Sequence, residues 1–403
     1  MKTSIYALLS AQLLSILGSA VAAVAIPWLL LTAEVGPQKL AWVFAVQSGA
    51  AVLAALIGTP FLDRFEKRRT YIACDVLLAT ASFGLIALYL SHALHPATVA
   101  AILACSAIIS SLSSAAGSAM IPELLAEDES ANQRVNGLIG TFHNFGDLAG
   151  PLLGGVIIAT LGNVTALAID GATFVISGLL LWWFLPQRKG AALPAPASEA
   201  TEEPAKAAYL AGLLAIVHDP MLRRVTLVSG VVNMVISPLL VLFLPVMVKQ
   251  SGGSALGVGV LFSCFGVGAF LASLLYTWRG AKLAPLPSLA ASMLLAVLSL
   301  ALLPFVPQLG ACGLLCVIGA AVGYTGPLEQ TLMQNHSPAN QIGRIMLAYS
   351  ACRTVSVPVG FLVVGEVLGQ GNSQAAALTL AGLLSLALLA SMMPYAVPKE
   401  AMR

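Results

Sequence analysis

Long apolar runs alternate with short polar interruptions along almost the whole chain. The runs fall at about 5–32, 39–62, 71–91, 97–121, 136–160 and 164–185, then at 221–248, 255–278, 286–306, 309–333, 344–368 and 374–395. Each approaches or exceeds the roughly 20 residues that an α-helix needs to cross the hydrocarbon of a bilayer. The pattern predicts an all-α integral membrane protein with twelve transmembrane helices. Residues 1–185 form an N-terminal six-helix half and residues 221–403 a C-terminal half. Between them, 186–220 opens on Gln187, Arg188 and Lys189 and runs through Pro194, Pro196, Glu199, Glu202, Glu203 and Pro204. That composition predicts a solvated linker on the cytoplasmic side. Its end, Tyr209 to Val217, is apolar but too short to span, and predicts a short helix in the interface.

Composition agrees with lipid as the solvent. Of 403 residues, 59% are hydrophobic and 9% charged, against about 25% charged in soluble domains. The first run exceeds the roughly 7–15 residues of a signal-peptide core and is read as a retained helix. The six cysteines lie in apolar runs. Cys312 and Cys316 are one turn apart, without the spacing or neighbouring His of a zinc site, so the cysteines are read as packing residues. No metal and no cofactor are expected.

The net charge of +2 says little, but its distribution sets an orientation. If the N-terminus is cytoplasmic, sixteen of the nineteen Lys and Arg fall in cytoplasmic segments. Lys39 and Lys249 alone fall outside, and Arg353 lies within a span. Basic residues hold loops inside, so both termini are expected in the cytoplasm.

The halves echo each other. Ala131-Asn132-Gln133 precedes the fifth span and Ala339-Asn340-Gln341 the eleventh, each followed by an Arg, Arg134 or Arg344. About twenty residues on come Gly150-Pro151 and Pro358-Val359-Gly360. The two spans cross in the same direction, as expected of parallel repeats.

The loop after the second span contains Gly58, Asp63, Arg64, Lys67, Arg68 and Arg69. It resembles the Gly-x-x-x-Asp-Arg-x-Gly-Arg-Arg signature of the major facilitator superfamily, although Gly58 stands one residue too far from Asp63 and Glu66 replaces the second Gly. Further matches are Pro122-Glu123-Leu124-Leu125, Gly150-Pro151-x-x-Gly154-Gly155, the run from Gly212 through His218-Asp219-Pro220 to Arg223, Gln330 to Gln334, Ser337-Pro338 and Gly343-Arg344-Ile345. Together these resemble the drug:proton antiporter branch that includes macrolide efflux proteins and the enterobactin exporter. The resemblance covers nearly the whole chain.

It implies a major facilitator fold, two six-helix halves related by a pseudo-two-fold axis, working by alternating access. It also implies an inner gate in which Asp63 meets the positive N-terminus of the eleventh span near Gly343. Arg64 and Arg68 would complete that network, with Asp75 pairing with Arg68 or Arg69. Topology alone is the plainer account of the same charges. Gly150 and Pro151 would serve the gate, either at the junction of the halves or simply as a close-packed kink.

Ionisable groups at membrane depth are costly and mark function. They are His143, Asp147, Asp170, Glu329 and Arg353, with Glu366 nearer the outer end. Asp147 is the first candidate for proton coupling, with His143 one turn away to tune it; Glu329 is the next. Asp170, on a peripheral span, is read as structural. Arg353 cannot discharge and needs an anion, which is Asp147, Glu329 or a substrate.

In the implied fold the first, fourth, seventh and tenth spans line the cavity. They offer Gln12, Ser15, Ser19, Ser106, Ser110, Asn233, Ser237, Tyr324 and Gln330. Gln12, Asn233, Tyr324 and Gln330, with Arg353, are the expected substrate contacts. So apolar a lining suits an amphiphilic organic molecule and not a sugar.

No phosphate-binding loop, nucleophile constellation or basic aromatic stretch is visible. An enzyme, a sensor and a nucleic-acid partner are therefore disfavoured. The expected function is secondary active transport: proton-coupled export of a drug-like amphiphile or siderophore. The alternative is a lipid or lysophospholipid carrier of the same fold. The expected partners are the small-molecule substrate, protons and the lipid bilayer. The expected setting is a monomer in a bacterial inner membrane.

Overall fold

The computed structural model describes residues 2–62, 66–125, 129–185, 205–279, 284–338 and 341–392. All regular structure among these residues is helical. In chain order the helices are α1 (Lys2–Thr32), α2 (Pro37–Leu62), α3 (Lys67–Leu90), α4 (Pro96–Leu125), α5 (Glu129–Leu161) and α6 (Asn163–Phe184). The short α7 (Ala205–His218) follows. Then come α8 (Pro220–Gln250), α9 (Ala255–Arg279), α10 (Pro285–Phe305), α11 (Gln308–His336), α12 (Ile342–Gly369) and α13 (Ser373–Met392). Among the described residues eleven helices are long and apolar enough to cross a bilayer. The other expected crossing, α2, has 26 residues, with the side chains of 55–62 outside the described set.

Helix alone satisfies every backbone group without water, which is why lipid admits it. Large apolar side chains accordingly point outward along the spans. Trp182 and Trp183 on α6, Leu294 and Leu298 on α10, and Phe270 and Leu274 on α9 are exposed.

Two helices are interrupted where proline forbids regular hydrogen bonding. In α8, Pro238 is followed by one π-helical stretch, Leu239–Phe243, before the α-helix resumes at Leu244. Leu239, Leu242, Phe243 and Leu244 are fully buried there. In α12, the α-helix stops at Val355 and restarts at Val357, beside Pro358. Ser356 Oγ sits within reach of the Gly230 carbonyl at 2.7 Å and the Arg353 carbonyl at 3.0 Å.

The chain divides into two compact units. Unit 1 comprises Met1–Pro196, Pro238–Ser263 and Phe361–Asn372; unit 2 comprises Ala197–Ser237, Cys264–Gly360 and Ser373–Arg403. These units group residues by packing. The six-helix halves at 1–185 and 221–403, with the linker 186–220 between them, stay a proposal about the repeat.

In unit 1, α1 packs against α5 and α6, α2 against α4, and α3 against α4 and α6. Leu8, Ala11, Ala116, Met120, Ile121 and Leu181 form a shared apolar core. At the end holding loops 33–36 and 251–254, Lys249 Nζ donates to the Leu31 carbonyl. Gln38 Nε2 donates to Glu366 Oε2 at 2.6 Å, and Phe44 stacks on Phe361 at 5.6 Å.

In unit 2, α10 packs against α11 and α13, and α7 against the first part of α12. Ile216 of α7 is buried, while Leu210, Leu214 and Val217 on its other side are exposed. That leaves α7 an apolar stripe, as an interfacial helix requires. Helices α9 and α11 approach closely enough that a Cβ on Gly319 would lie 1.9 Å from the Phe265 carbonyl oxygen.

Backbone, unlike a flexible side chain, cannot yield there. Gly319→Leu is expected to destabilise the protein by on the order of 3 kcal/mol or to prevent its accumulation. Gly382→Ala, at a site with open space around it, is the control and should be near neutral. Thermal unfolding of the purified protein in detergent checks both.

Candidate functional site

Glu329 on α11 is 3% exposed. An isolated carboxylate at that depth would be severely penalised, so its partners matter. Tyr349 Oη on α12 lies 3.0 Å from Glu329 Oε2 and 3.0 Å from Ser229 Oγ on α8. Tyr349 has one proton for the two acceptors. Tyr349 Oη is thus shared by Ser229 and Glu329 and joins α8, α11 and α12. The second oxygen, Glu329 Oε1, is buried without a partner.

Arg353 stands one turn beyond Tyr349 on α12, and its charge reaches both Glu329 and Tyr349. It does not close to ion-pair distance on Glu329, and its side chain is exposed. Of the anions expected for Arg353, Glu329 lies in the same unit, beyond ion-pair distance.

The other expected contacts in unit 2 are dispersed. Asn233 Nδ2 donates to the Ser229 carbonyl of its own helix at 2.9 Å. Tyr324 is buried with its hydroxyl unpartnered, and its ring meets Tyr276 edge-on at 5.4 Å. Gln330 is exposed, beside Glu329 in sequence but not turned inward with it.

In unit 1, Asp147 and His143 are both exposed, one turn apart on α5, and Asp147 feels the charge of His143. Gln12 on α1 is half-buried with Oε1 unpartnered. The Gly150-Pro151 element is a seam. A Cβ on Gly150 would meet Ala20 of α1 at 2.1 Å, and one on Gly155 would meet the Ala255 carbonyl of α9 at 2.8 Å. On α9, a Cβ on Gly259 would in turn lie 2.5 Å from the Pro151 carbonyl. The close-packing reading of that motif describes these contacts; its place in a gate at the junction of the halves stays a proposal.

The expected inner gate is only partly visible. Asp63 and Arg64 lie outside the described residues, as do Asn340 and the side chain of Asn132. Arg68 is not paired with Asp75, contrary to expectation. Its Nη2 donates to the Trp182 carbonyl at 2.7 Å and its Nε to the Leu181 carbonyl at 3.4 Å. Those are last-turn carbonyls of α6, where the helix dipole favours a cation. Asp75 instead accepts from Ser177 Oγ at 2.6 Å. Arg69 pairs with Glu66 at 2.6 Å at the surface, and Lys67 pairs with Glu123 of α4.

Sequence reasoning missed Tyr349, Ser229, Ser82 and Ser177. Two signals were present: the Tyr349–Arg353 spacing of one turn, and an Asp-x₆-Ser spacing that occurs as Asp75–Ser82 and as Asp170–Ser177. Among the described residues no group of three or more His, Cys, Asp or Glu is placed to hold a metal ion.

Apolar crossing helices with a few deeply placed ionisable groups define a polytopic membrane transporter. The sequence profile of the Major Facilitator Superfamily matches residues 8–361, and the chain belongs to that superfamily. It is 25% identical over 372 residues to the multidrug efflux pump Tap of Mycolicibacterium fortuitum, covering 90% of this chain and 88% of Tap. It is 24% identical over 324 residues to the enterobactin exporter EntS of Escherichia coli, covering 79% and 74%. The nucleoside transporter NupG superposes with a TM-score of 0.77 at 13% identity, covering 97% of this chain and 98% of NupG. A bacterial homologue of the iron transporter ferroportin, in an inward-facing state, superposes at 0.74 with 14% identity, covering 96% and 98%. At such identities the solved structures speak for the fold alone.

Removing the Tyr349 hydroxyl strips a buried carboxylate of its donor. Tyr349→Phe should cost about 1–3 kcal/mol of stability. The same change should cost distinctly less in a Glu329→Ala background, where the carboxylate is gone. Thermal unfolding of the four proteins measures that coupling.

Proposed function

We propose that this chain is a proton-coupled exporter of an amphiphilic, drug-like molecule or siderophore. The supporting observation is the Glu329 arrangement. One carboxyl is buried on three helices, with a free oxygen and a guanidinium one step away. Ionised, Glu329 attracts the Arg353 guanidinium across the gap between them. Protonated, it releases that charge, and an acidic group on a substrate can take its place in a planar, bidentate geometry. Ionised Glu329 and the acidic group of the substrate then compete for one cation, so protonation and substrate binding are linked through Arg353.

The likeness to Tap and EntS supports export over uptake and supports organic substrates. A lipid carrier of the same fold is the alternative, and substrate-stimulated proton movement in liposomes separates the two. Asp147 with His143 is a second coupling candidate. Gln12, Asn233, Tyr324 and Gln330 are the proposed polar contacts to substrate. Asp63, Arg64, Arg68, Gly150 and Pro151 are proposed for the gates. Asp75 is proposed with them, through its bond to Ser177 and not to Arg68. We place the protein, as a monomer, in a bacterial inner membrane with both termini cytoplasmic, on the sixteen-to-two division of Lys and Arg.

Glu329→Gln keeps an acceptor for Tyr349 but cannot ionise. In proteoliposomes it should lose accumulation of substrate driven by a pH gradient, while downhill exchange of substrate for substrate continues. If the variant still concentrates substrate, Glu329 is not the coupling group and Asp147→Asn is the next test.

The orientation has its own check. A single Cys placed within 190–205, in a protein otherwise free of cysteine, should resist a membrane-impermeant maleimide in intact cells and react after lysis. Labelling in intact cells reverses the topology.

A further inference from the structure

Three of the six cysteines gather where α9 meets α11 in unit 2. Cys264 lies on α9, and Cys312 and Cys316 lie one turn apart on α11. All six thiols are free, and these three are half-buried.

Glycines fix how the two helices meet. A Cβ on Gly319 would lie 1.9 Å from the Phe265 carbonyl oxygen, and one on Gly323 would lie 2.1 Å from the Ala269 carbonyl oxygen. A step of four residues along α11 is thus matched by a step of four along α9, so the helices run parallel and keep register. From the α9 side, a Cβ on Gly268 would lie 1.9 Å from the Cys316 carbonyl oxygen and 2.9 Å from the Ala320 nitrogen. Gly268 therefore sits in the groove between Cys316 and Ala320. One turn earlier, the same register places Cys264 in the groove between Cys312 and Cys316.

The spacing of residues along each helix agrees. Cys312, Cys316, Gly319 and Gly323 follow each other at steps of four, three and four, which is one face of a helix. Cys264 and Gly268 are four apart on the facing helix. The charge neighbours of the Cys264 thiol are those same two residues, Cys312 and Cys316. A Cα–Cβ bond on a helix tilts toward the N-terminus. From its groove, Cys264 therefore points back toward Cys312 and away from Cys316.

We propose that Cys264 and Cys312 are a redox-sensitive pair that closes to a disulfide and staples α9 to α11. A disulfide spans Cα atoms roughly 4.4–6.8 Å apart, and backbone contact one turn away favours that spacing. The oxidant is a small-molecule disulfide, RSSR. Cys312 is met first, because it lies only about 6 Å along α11 from its start at Gln308. Its thiolate attacks one sulfur of RSSR, RS⁻ leaves, and a mixed disulfide forms on Cys312. The Cys264 thiolate then attacks the Cys312 sulfur and expels the second RS⁻. The two protons shed by the protein thiols end on the two released RSH, and two electrons pass to the oxidant. Cys316 stays a free thiol. The pair lies wholly in unit 2 and depends neither on the direction of transport nor on Glu329.

The test is a thiol count on the purified full-length protein in detergent, before and after exposure to oxidised glutathione. Maleimide capping and intact mass give the count. Wild type should lose two of its six free thiols to an internal bond. Peptide mapping should join Cys264 to Cys312, and dithiothreitol should restore both thiols. Cys316→Ser should close the same bond. Cys264→Ser should stop at the mixed disulfide on Cys312, and Cys312→Ser should close no internal bond. Closing the bond should raise the unfolding temperature by at least about 2 °C, because it restrains the unfolded chain. The proposal is overturned if wild type closes no internal bond, if the bond maps to another pair, if Cys312→Ser also closes one, or if oxidation leaves the unfolding temperature unchanged. Should a variant fail to accumulate, peptide mapping of wild type decides alone.

Discussion

Hydrocarbon offers no hydrogen-bond partner, and most of this structure follows from that one constraint. It makes every crossing a helix. It also forces each polar side chain below the surface to find its partner on a neighbouring helix. Arg68 turns its guanidinium onto the last carbonyls of α6. Asp75 and Asp170 take serine hydroxyls across the α3–α6 seam. Glu329 takes Tyr349, which Ser229 in turn holds. Each contact costs little in water and is nearly obligatory here, so polar groups that look scattered in sequence fix helix register in space.

The same solvent removes the usual driving force for burying apolar surface, since lipid is as apolar as leucine. Helices must then gain from contact itself. Unit 1 gets this from α5, whose Gly150 and Gly155 admit α1 and α9 to backbone distance, and unit 2 from Gly319 against α9. A motif that resembles export machinery in sequence is seen here as close packing.

Much of this was legible from the chain. Apolar run length gave the helices, and most boundaries moved by only a few residues, because bilayer thickness dictates run length directly. The acids and the arginine at membrane depth stood out because nothing else in those runs is charged. What did not show was partnership. Asp75 reads as the partner of Arg68 when only the local sequence is considered, since the two are seven residues apart on one helix. In space a serine a hundred residues away wins, because Arg68 has the end of α6 within reach. Tyr349 and Ser229 were passed over for the same reason: single hydroxyls in apolar runs are common, and only tertiary packing shows which one faces a carboxyl. The Asp-x₆-Ser spacing on both α3 and α6 was a readable sign of the seam.

The proline interruptions have a consequence for how the helices are shared. The border between the compact units crosses α8 at Pro238 and α12 at Gly360, at the π-helical stretch of one and just past the break at Ser356 in the other. Each of these helices therefore belongs to two packing environments: the stretch from Pro238 or Phe361 onward is packed in unit 1, and the stretch that carries Ser229 or Arg353 in unit 2. A continuous α-helix would impose one register of side chains on both. The interruption resets that register where the packing partners change, at residues whose hydrogen bonding the sequence has already loosened.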